Sequence, residues 1–375
     1  MIRVLHILHS MNRGGAEAML MNYYRNIDRT RVQFDFLLTE QNRCQYEDEI
    51  ESLGGKVYRV PLLTFPNPFL YINGVKEFLK THPEYRIVHS HTSSKSAVPL
   101  WVAKKCGVPV RICHAHSSSS GHGLEGFVRW ALGVWLKQVA TDFMSCGEGA
   151  TRCWYGEKYL KIAKFVPNAV DMDKLRYDDS VREAMRERLK ISNNEYVLGM
   201  VSRFHPVKNH LFALDVLAVL KQHHCKAKLL FVGDGDLRSV IEEKIERLAL
   251  KGNVVMTGLV SDVPNYLQVM DVVLMPSLNE GLPVSLIEAQ ANGLPVVAST
   301  GIPHEVNVTG NVTFLPLDVN AWTDCIMKNR ECYMVRDVEA GEKVKKAGYD
   351  IKTASKWLED WYVDKSHVEP CATFK

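Results

Sequence analysis

Short runs of apolar and β-branched residues alternate with longer helical patterns along most of this chain, beginning at Ile2. Strands separated by helices need crossover connections, which produce a mainly parallel sheet with helices on both faces. The alternation breaks near residues 167–171, crosses a strongly charged stretch at 178–194 and restarts at Tyr196. The sequence therefore predicts an α/β protein with two Rossmann-like, doubly wound parallel-sheet domains. Because ligands of such sheets bind at the carboxyl ends of the strands, we expect the two domains to face each other across a cleft.

The length of 375 residues is that of two ordinary domains. We place the first domain at residues 1–170 and the second at residues 171–349. A last helix is predicted within residues 350–375, where Trp357 and Trp361 lie on the apolar pattern.

Composition excludes several classes of protein. Hydrophobic residues make up 46% of the chain, and the net charge of +3 gives no reason to expect a nucleic-acid partner. The nine cysteines show no C-x-x-C spacing, so we interpret them as free thiols in a reducing compartment. Neither a signal peptide nor an apolar run of about 20 residues is present. We expect a cytoplasmic protein, with at most a peripheral position at the inner face of the membrane.

One strand-to-helix loop in the second half of the chain has the features of an anion-binding site. It leads into a helix for which Pro283 suits the first position and Gly293 suits the exit. Unpaired backbone N–H groups and the positive end of the helix dipole converge at such a helix start. We expect the amides of Glu280, Gly281 and Leu282 to point outward and to bind a phosphate.

Two glutamates, Glu280 and Glu288, lie on that loop and helix. Carboxylates accept hydrogen bonds from hydroxyl groups, so carboxylates beside a phosphate site indicate a sugar nucleotide. The alternative is that both side chains are merely solvated, and their spacing alone does not decide between the two interpretations.

Two basic residues, Arg203 and Lys208, follow the first strand of the second domain. Arginine grips a diphosphate through two parallel hydrogen bonds, lysine adds a mobile charge, and both stabilise a departing anion. A solvated basic loop is the alternative, but the combination with the Glu280 loop favours a role in binding a leaving group.

Glu280 and Glu288 are separated by seven residues, and Gly-Leu-Pro follows the first of them. This pattern resembles the signature of the retaining glycosyltransferases of family 4, and of their bacterial exopolysaccharide and capsule members in particular. The resemblance covers nearly the whole chain and is strongest from Gly199 to Ser299. It implies the GT-B fold, in which the C-terminal helix packs back on the first domain.

The resemblance also implies roles for the candidate residues of the second domain. Arg203, Lys208 and the amides of Gly281 and Leu282 would hold the departing diphosphate. Glu280 would be catalytic by orienting the hydroxyl groups of the donor sugar.

Further donor contacts follow from the same resemblance. Glu288 would bind the ribose, and Val260 would contact the nucleotide through its backbone. Gly14 and Gly15, after the first strand, match the glycine loop that contacts the donor phosphate or the acceptor in this family. Taken alone, these two glycines are equally typical of an ordinary tight turn.

Histidines at the end of a first-domain strand complete the set of candidates. A histidine there can hydrogen-bond a sugar hydroxyl or assist proton movement. The family has a functional histidine followed by a small hydroxyl residue, which favours His116 over His114 as the catalytic residue, although the sequence leaves the choice open. We interpret His89 and His91, a similar pair on the preceding strand, as packing or loop residues.

The implied activity is the retaining transfer of a hexosyl group from a nucleoside-diphosphate sugar, which we expect to be a UDP-sugar. The acceptor would be a glycan or a polyprenyl-diphosphate-linked sugar in surface polysaccharide synthesis. We expect no metal and no other cofactor, because Arg203, Lys208 and the helix dipole would stabilise the leaving group. Two alternatives remain: a nucleotide-sugar 2-epimerase of the same fold, and a non-catalytic sugar-nucleotide-binding protein.

The apolar pattern at residues 124–139 also allows two interpretations. A helix with this many aromatic and aliphatic residues is commonly part of a core. Its tryptophans beside Arg129 and Lys137 are also typical of a helix at a membrane surface.

Overall fold

The computed structural model describes residues 1–64, 67–116 and 123–369, except for the side chains of residues 123–125 and 127. The described chain forms two compact units, Met1–Ala169 together with Ile351–Lys375, and Val170–Asp350. One unit contains a seven-stranded sheet and the other a six-stranded sheet. All strand pairs within the two sheets are parallel, which confirms the prediction of two doubly wound α/β domains.

The sheet of the first unit is built from strands that are apolar on both faces, as parallel strands covered by helices must be. Its strands are β1 (Ile2–Leu8), β2 (Val32–Leu38), β3 (Val57–Arg59), β4 (Ile87–Ser90), β5 (Val110–Ala115), β6 (Asp142–Ser145) and β7 (Lys164–Phe165). Their spatial order is β3-β2-β1-β4-β5-β6-β7. The winding therefore changes direction between β1 and β4, which is where a doubly wound sheet opens a crevice for a ligand.

Six helices connect these strands. They are α1 (Gly15–Asn26), α2 (Glu47–Ser52), α3 (Phe69–Thr81), α4 (Ala97–Lys105), α5 (Gly123–Val139) and α6 (Glu148–Trp154). The sequence predicted all of them except α2, a two-turn helix whose residues are mostly acidic. Helix α2 buries Ile50 in the core, and a single apolar anchor is too weak a period to be recognised in a sequence.

The second unit repeats the architecture. Its strands are β8 (Tyr196–Val201), β9 (Ala227–Val232), β10 (Val254–Met256), β11 (Val272–Met275), β12 (Val296–Ser299) and β13 (Val312–Leu315). Their spatial order is β10-β9-β8-β11-β12-β13, so the winding changes direction between β8 and β11.

Eight helices belong to this unit. They are α7 (Met172–Leu175), α8 (Asp179–Arg188), α9 (His210–Gln222), α10 (Arg238–Arg247), α11 (Val263–Val269), α12 (Val284–Ala291), α13 (Val319–Tyr333) and α14 (Ala340–Val344). The sequence did not predict α7, α8, β13, α13 or α14, and the residues of α8 were interpreted only as a charged stretch between the domains. Helix α13 buries only Trp322, Thr323 and Ile326, so tertiary packing and not a strong apolar period defines it.

The last helix, α15 (Ile351–Ser366), belongs to the first unit. Its buried face carries Leu358 and Tyr362, which join the core that β1, β2 and α1 form. Glu359 is also buried, and its carboxylate accepts a hydrogen bond of 2.9 Å from the backbone of Asp28 and pairs with Arg31. These apolar and charged contacts together fix α15 against the sheet.

The eight cysteines within the described residues are free thiols, as the sequence predicted. No helix in the described part of the chain is both long enough and apolar enough to cross a bilayer.

Candidate functional site

The predicted site residues of the second unit cluster where its winding changes direction. Lys208 ends the loop that follows β8, and Glu280 lies on the loop that follows β11. These two strands are neighbours, and the carboxyl ends of parallel strands share one edge of the sheet. The backbone joins the loops directly, because the N–H of Leu278 donates a 2.8 Å hydrogen bond to the carbonyl of Val207.

Lys208 and Glu280 form an ion pair across this crevice, between Nζ of the lysine and Oε1 of the glutamate. The lysine side chain is 24% exposed and the glutamate side chain 13%. Only one of the three N–H groups of the ammonium is needed for this contact, so two remain for other acceptors. The second carboxylate oxygen of Glu280 likewise remains able to accept a hydrogen bond.

Close backbone contacts hold the Glu280 loop in place. A Cβ on Gly301 would lie 2.3 Å from the carbonyl oxygen of Leu278, so only glycine fits where the β12 loop crosses the β11 loop. The hydroxyl of Ser299 donates to the carbonyl of Ser277, and the amide of Glu280 donates to the carbonyl of Gly301 at 3.3 Å. The expectation that the Glu280 amide points outward is therefore wrong: the crossing β12 loop occupies it.

Other amides at the start of α12 remain open. Among the described residues, no acceptor pairs with the backbone N–H groups of Gly281, Val284 and Ser285. Pro283 lies one position before the helix and not at its first position as predicted, because its ψ of 122° is extended. The helix exit at Gly293 is confirmed: this residue has φ of +78° and donates to the carbonyl of Gln290 at 2.9 Å.

Arg203 lies near the start of the loop that follows β8, and Lys208 lies at its end. Its guanidinium pairs with Asp236 at 3.1 Å, with side-chain exposures of 64% and 77%. Such an exposed pair contributes about 0–1 kcal/mol, so the guanidinium is readily available to another anion. Two glycines before Asp236, on the loop that follows β9, allow this loop to approach the β8 loop closely. A Cβ on Gly233 would lie 2.1 Å from the carbonyl oxygen of Ser202. A Cβ on Gly235 would lie 2.6 Å from the carbonyl oxygen of Phe204.

Glu288 is half-buried in the middle of α12, and its carboxylate has no hydrogen bond or ion pair among the described residues. Burial raises the pKa of this carboxyl to about 7.

Leu282 is buried. Val260 follows β10, the edge strand, and β9 lies between that strand and β8. The structure thus brings Lys208 and Glu280 into contact and records no contact of Val260 with either of them.

In the first unit, Gly14 and Gly15 begin α1, as predicted. A Cβ on Gly15 would meet no atom within 4 Å, whereas one on Gly14 would lie 2.3 Å from Oε2 of Glu17. The Glu17 side chain folds back over Gly14, and burial raises the pKa of its carboxyl. Gly15 is therefore the open position of this turn, and a carboxylate covers Gly14.

Five histidines fill the point where the sheet of the first unit changes direction. His6 on β1 and His89 on β4 are directly paired in the sheet register, and His91, His114 and His116 continue along β4 and β5. Nδ1 of His6 lies 3.0 Å from Nε2 of His91, and Nδ1 of His91 lies 2.8 Å from Nε2 of His116. The predicted catalytic histidine therefore ends a hydrogen-bonded chain of three imidazoles.

The direction of this chain determines which nitrogen of His116 carries the proton. Burial lowers the pKa of His6 to about 3 and that of His116 to about 4, so both rings are neutral at pH 7. Nε2 of His6 is buried without a partner. If the chain ran from His116 to His6, that nitrogen would be an orphaned buried N–H, which is rarer than an orphaned acceptor. The favoured direction has His6 donating to His91 and His91 donating to His116, which places the proton of His116 on Nδ1.

The sequence analysis treated His89 and His91 as packing or loop residues, and it missed His6. The signal that reveals the cluster is the repeated H-x-H spacing at the ends of two strands. Successive side chains of a strand alternate between faces, so both members of each pair lie on one face. Neighbouring strands then bring the two pairs together.

Helix α5 combines the two predicted possibilities. Leu136 and Val139 are buried, so one face is part of the core. On the other face, Trp130 is 64% exposed and Val134, one turn later, is 42% exposed. The side chain of Phe127, in the same apolar pattern, lies outside the described residues.

Comparisons with known proteins agree with this architecture. Residues 14–144 match the family model of the glycosyl transferase 4-like domain, and residues 181–328 match that of the glycosyl transferases group 1. The chain is 35% identical over 358 residues to EpsF of Bacillus subtilis (strain 168), provisionally named a glycosyltransferase, and the match covers 93% of each chain.

A second relative and a solved structure extend the comparison. The capsular polysaccharide biosynthesis glycosyltransferase CapH of Staphylococcus aureus is 28% identical over 308 residues, which cover 80% of this chain and 81% of CapH. The crystal structure of Anabaena HepE in complex with UDP and glucose is similar with a TM-score of 0.78 at 20% identity, over 97% of this chain and 100% of that chain. This similarity shows the GT-B fold.

Proposed function

We propose a specific transfer reaction for this chain, which belongs to the family of group 1 glycosyltransferases. The donor is a nucleoside-diphosphate sugar, specifically a UDP-sugar, and the acceptor is a hydroxyl of a growing surface glycan. The names of two similar proteins support these choices: HepE was solved with UDP, and CapH acts in capsular polysaccharide biosynthesis. The epimerase alternative is not favoured, because the relatives reported above are glycosyltransferases.

The observation that carries the proposal is the Lys208–Glu280 pair beside the open amides of α12. A diphosphate at this point would meet the remaining N–H groups of Lys208, the amide of Gly281 and the positive end of the α12 dipole. Arg203 would exchange its exposed contact with Asp236 for a phosphate oxygen. Such groups stabilise the charge that develops on the leaving diphosphate.

The carboxylates would bind the carbohydrate part of the donor. Glu280 is anchored by Lys208 and offers its second oxygen to a sugar hydroxyl. Glu288 is placed to accept hydrogen bonds from the ribose. Leu282 and the backbone of Val260 would add contacts to the nucleotide, and Gly15, beside Gly14, offers an open amide turn to a phosphate or an acceptor.

We propose that transfer proceeds with retention of the anomeric configuration. An inverting displacement needs a base that removes the acceptor proton, but the favoured tautomer of His116 presents an N–H at Nδ1. His116 would therefore donate a hydrogen bond to a substrate hydroxyl, and an oxygen of the leaving diphosphate would take the acceptor proton. We expect the reaction to need no divalent metal, because Arg203, Lys208 and the α12 amides carry out the charge stabilisation.

We propose that the acceptor is a polyprenyl-diphosphate-linked glycan. The exposed side chains of Trp130 and Val134, which lie one turn apart on α5, support a peripheral contact with the cytoplasmic face of a membrane.

A donor and acceptor screen tests these proposals. Purified protein is incubated with a panel of UDP-, GDP- and dTDP-sugars, with either lipid extract or water-soluble glycans, in the presence of a chelator. We expect release of UDP that requires the lipid fraction, and a product whose anomeric configuration by NMR equals that of the donor. An inverted product, or release only after a divalent metal is added, would overturn the mechanism; preference for another nucleotide would overturn the choice of donor.

A further inference from the structure

His114 is a buried side chain whose polar atoms have no partner among the residues that the structure describes. Its exposed fraction is 0%, and neither of its ring nitrogens makes a hydrogen bond within that part of the chain. A neutral imidazole carries one N–H and one lone pair, and burying either without a partner costs free energy. Most buried polar groups in proteins are paired, so an unpaired one requires an explanation, such as an ion that binds there.

The surroundings of His114 supply further ligands for such an ion. One nitrogen from each of His91, His114 and His116 lies within 4.8 Å of the others. The ring of His114 stacks on that of His116, with centroids 4.2 Å apart and an angle of 21° between the planes. Three tetrahedral ligands at 2.0–2.1 Å from a zinc ion stand about 3.3 Å apart, so a small inward movement of these rings would complete the set.

A second set of three histidines, His6, His89 and His91, also brings its nitrogens within 4.8 Å. Its members already make hydrogen bonds: Nδ1 of His89 lies 2.6 Å from the hydroxyl of Tyr362, and Nδ1 of His6 lies 3.0 Å from Nε2 of His91. All three rings are buried. The first set also contains a hydrogen bond, between His91 and His116, but it includes the unpaired His114. Its His116 is only half-buried, which gives an ion a route to the nitrogens.

We propose that His91, His114 and His116 form a binding site for a divalent transition-metal ion of the zinc class, with a fourth position left for water. Imidazole nitrogens are preferred ligands of Zn²⁺, Co²⁺ and Ni²⁺, whereas Mg²⁺ and Ca²⁺ prefer oxygen. An ion would bind Nδ1 of His91 in place of the hydrogen bond to His116, and Nε2–H of His91 would then donate to His6, which acts as the outer partner that orients a metal-bound histidine. This direction is the reverse of the one favoured without an ion. The site uses His116, to which the proposed function assigns a hydrogen bond to the substrate, so the metal-free transfer step is expected with the site empty.

Cobalt provides a direct probe, because Co²⁺ in a tetrahedral histidine site absorbs visible light. The full chain, without a polyhistidine tag, is titrated with Co²⁺ and then with Zn²⁺. We expect one equivalent of Co²⁺ to develop the visible bands and one equivalent of Zn²⁺ to remove them. Zn²⁺ should also raise the melting temperature, because binding to the folded state stabilises it.

Matched variants assign the site. His114→Phe keeps a ring in the stack but removes both nitrogens, and we expect it to weaken Zn²⁺ binding by at least about 100-fold, since even the loss of an outer partner costs 10–100-fold. His116→Ala, at the half-buried position, should have the same effect and provides a second test if the Phe variant does not fold. His223→Ala, on a distant and exposed histidine, serves as a control with unchanged binding.

His89→Phe distinguishes the two sets of histidines, because it affects only the inner one. Retained Co²⁺ bands in this variant support the assignment to His91, His114 and His116. The proposal is overturned if His114→Phe and His116→Ala bind Zn²⁺ as tightly as the wild type, if only His89→Phe loses binding, or if the wild type binds no Co²⁺ at all.

Discussion

The Lys208–Glu280 pair makes two separable contributions, and a double-mutant cycle measures both. Lys208→Met removes the charge and keeps most of the side-chain volume, and Glu280→Gln keeps the shape of the carboxylate. The pair is 24% and 13% exposed, which lies between a surface pair of about 0–1 kcal/mol and a buried pair whose disruption costs about 3–5 kcal/mol. We therefore expect either single variant to lower the free energy of unfolding by about 1–2 kcal/mol.

The effect on activity should be larger. Removing one group that stabilises charge on the leaving diphosphate costs about 3 kcal/mol, so Lys208→Met should lower kcat/KM roughly 100-fold. Losing a charge-assisted hydrogen bond to a sugar hydroxyl costs about 2 kcal/mol, so Glu280→Gln should lower it roughly 30-fold. Because the two side chains are in contact, part of each loss is shared, so the double variant should fall by more than the roughly 100-fold of Lys208→Met alone but by less than the roughly 3,000-fold that simple addition gives.

The assay measures release of the nucleoside diphosphate at saturating acceptor, and denaturant unfolding is followed in parallel. Lys244→Met is the matched control, because Lys244 forms a partly buried pair with Asp215 at 2.6 Å in the same unit, between α9 and α10. It should lose stability and retain activity. Near-wild-type activity in either single variant, or a double variant no slower than Lys208→Met alone, would show that the pair is only structural.

Three further predictions concern other parts of the site. Glu288 has a pKa raised to about 7, and binding of the ribose hydroxyls needs its carboxylate, so the donor affinity measured by calorimetry should weaken as the pH falls below 7. The Glu288→Gln variant should bind the donor more weakly, and its affinity should not depend on pH. An equal pH response in both proteins would contradict this role. His91→Phe removes the hydrogen-bond donor to His116, so the proton of His116 is no longer fixed on Nδ1. We expect kcat to fall about tenfold with KM little changed. An unchanged kcat would count against the imidazole chain. Gly301→Ala forces a Cβ to 2.3 Å from a carbonyl oxygen and should lower the free energy of unfolding by about 2 kcal/mol. Gly252→Ala is the control, because a Cβ there would meet no atom within 4 Å and should leave the free energy of unfolding unchanged. Equal stability of the two variants in denaturant unfolding would refute the packing argument.

The strand and helix alternation predicted most of the fold because parallel strands are apolar along their whole length. The elements that the sequence missed are α2, α7, α8, β13, α13 and α14. Most of them are short, α8 is mostly polar, and α13 buries only three side chains. Their stability comes from tertiary contacts such as the burial of Trp322, which leave little periodic signal.

The sequence also predicted that Lys208 and Glu280 belong to one site, from the combination of a basic loop with the Glu280 loop and from the family resemblance. The structure gives the physical reason: both residues follow neighbouring strands at the point where the winding changes direction. It did not show that they pair with each other, or that the amide of Glu280 is occupied by Gly301, since loop crossings depend on backbone geometry. The histidine cluster was missed for a different reason. Each H-x-H pair was interpreted by itself, whereas the sheet register places His6 and both pairs on one face.

The central claim is that a nucleoside diphosphate binds where Lys208, Glu280 and the start of α12 meet, and a crystal soaked with UDP tests it most directly. We expect electron density for the diphosphate within about 3 Å of Nζ of Lys208 and of the amide of Gly281. Density for UDP elsewhere in the molecule, with the Lys208–Glu280 pair unchanged and no ligand beside it, would contradict the account.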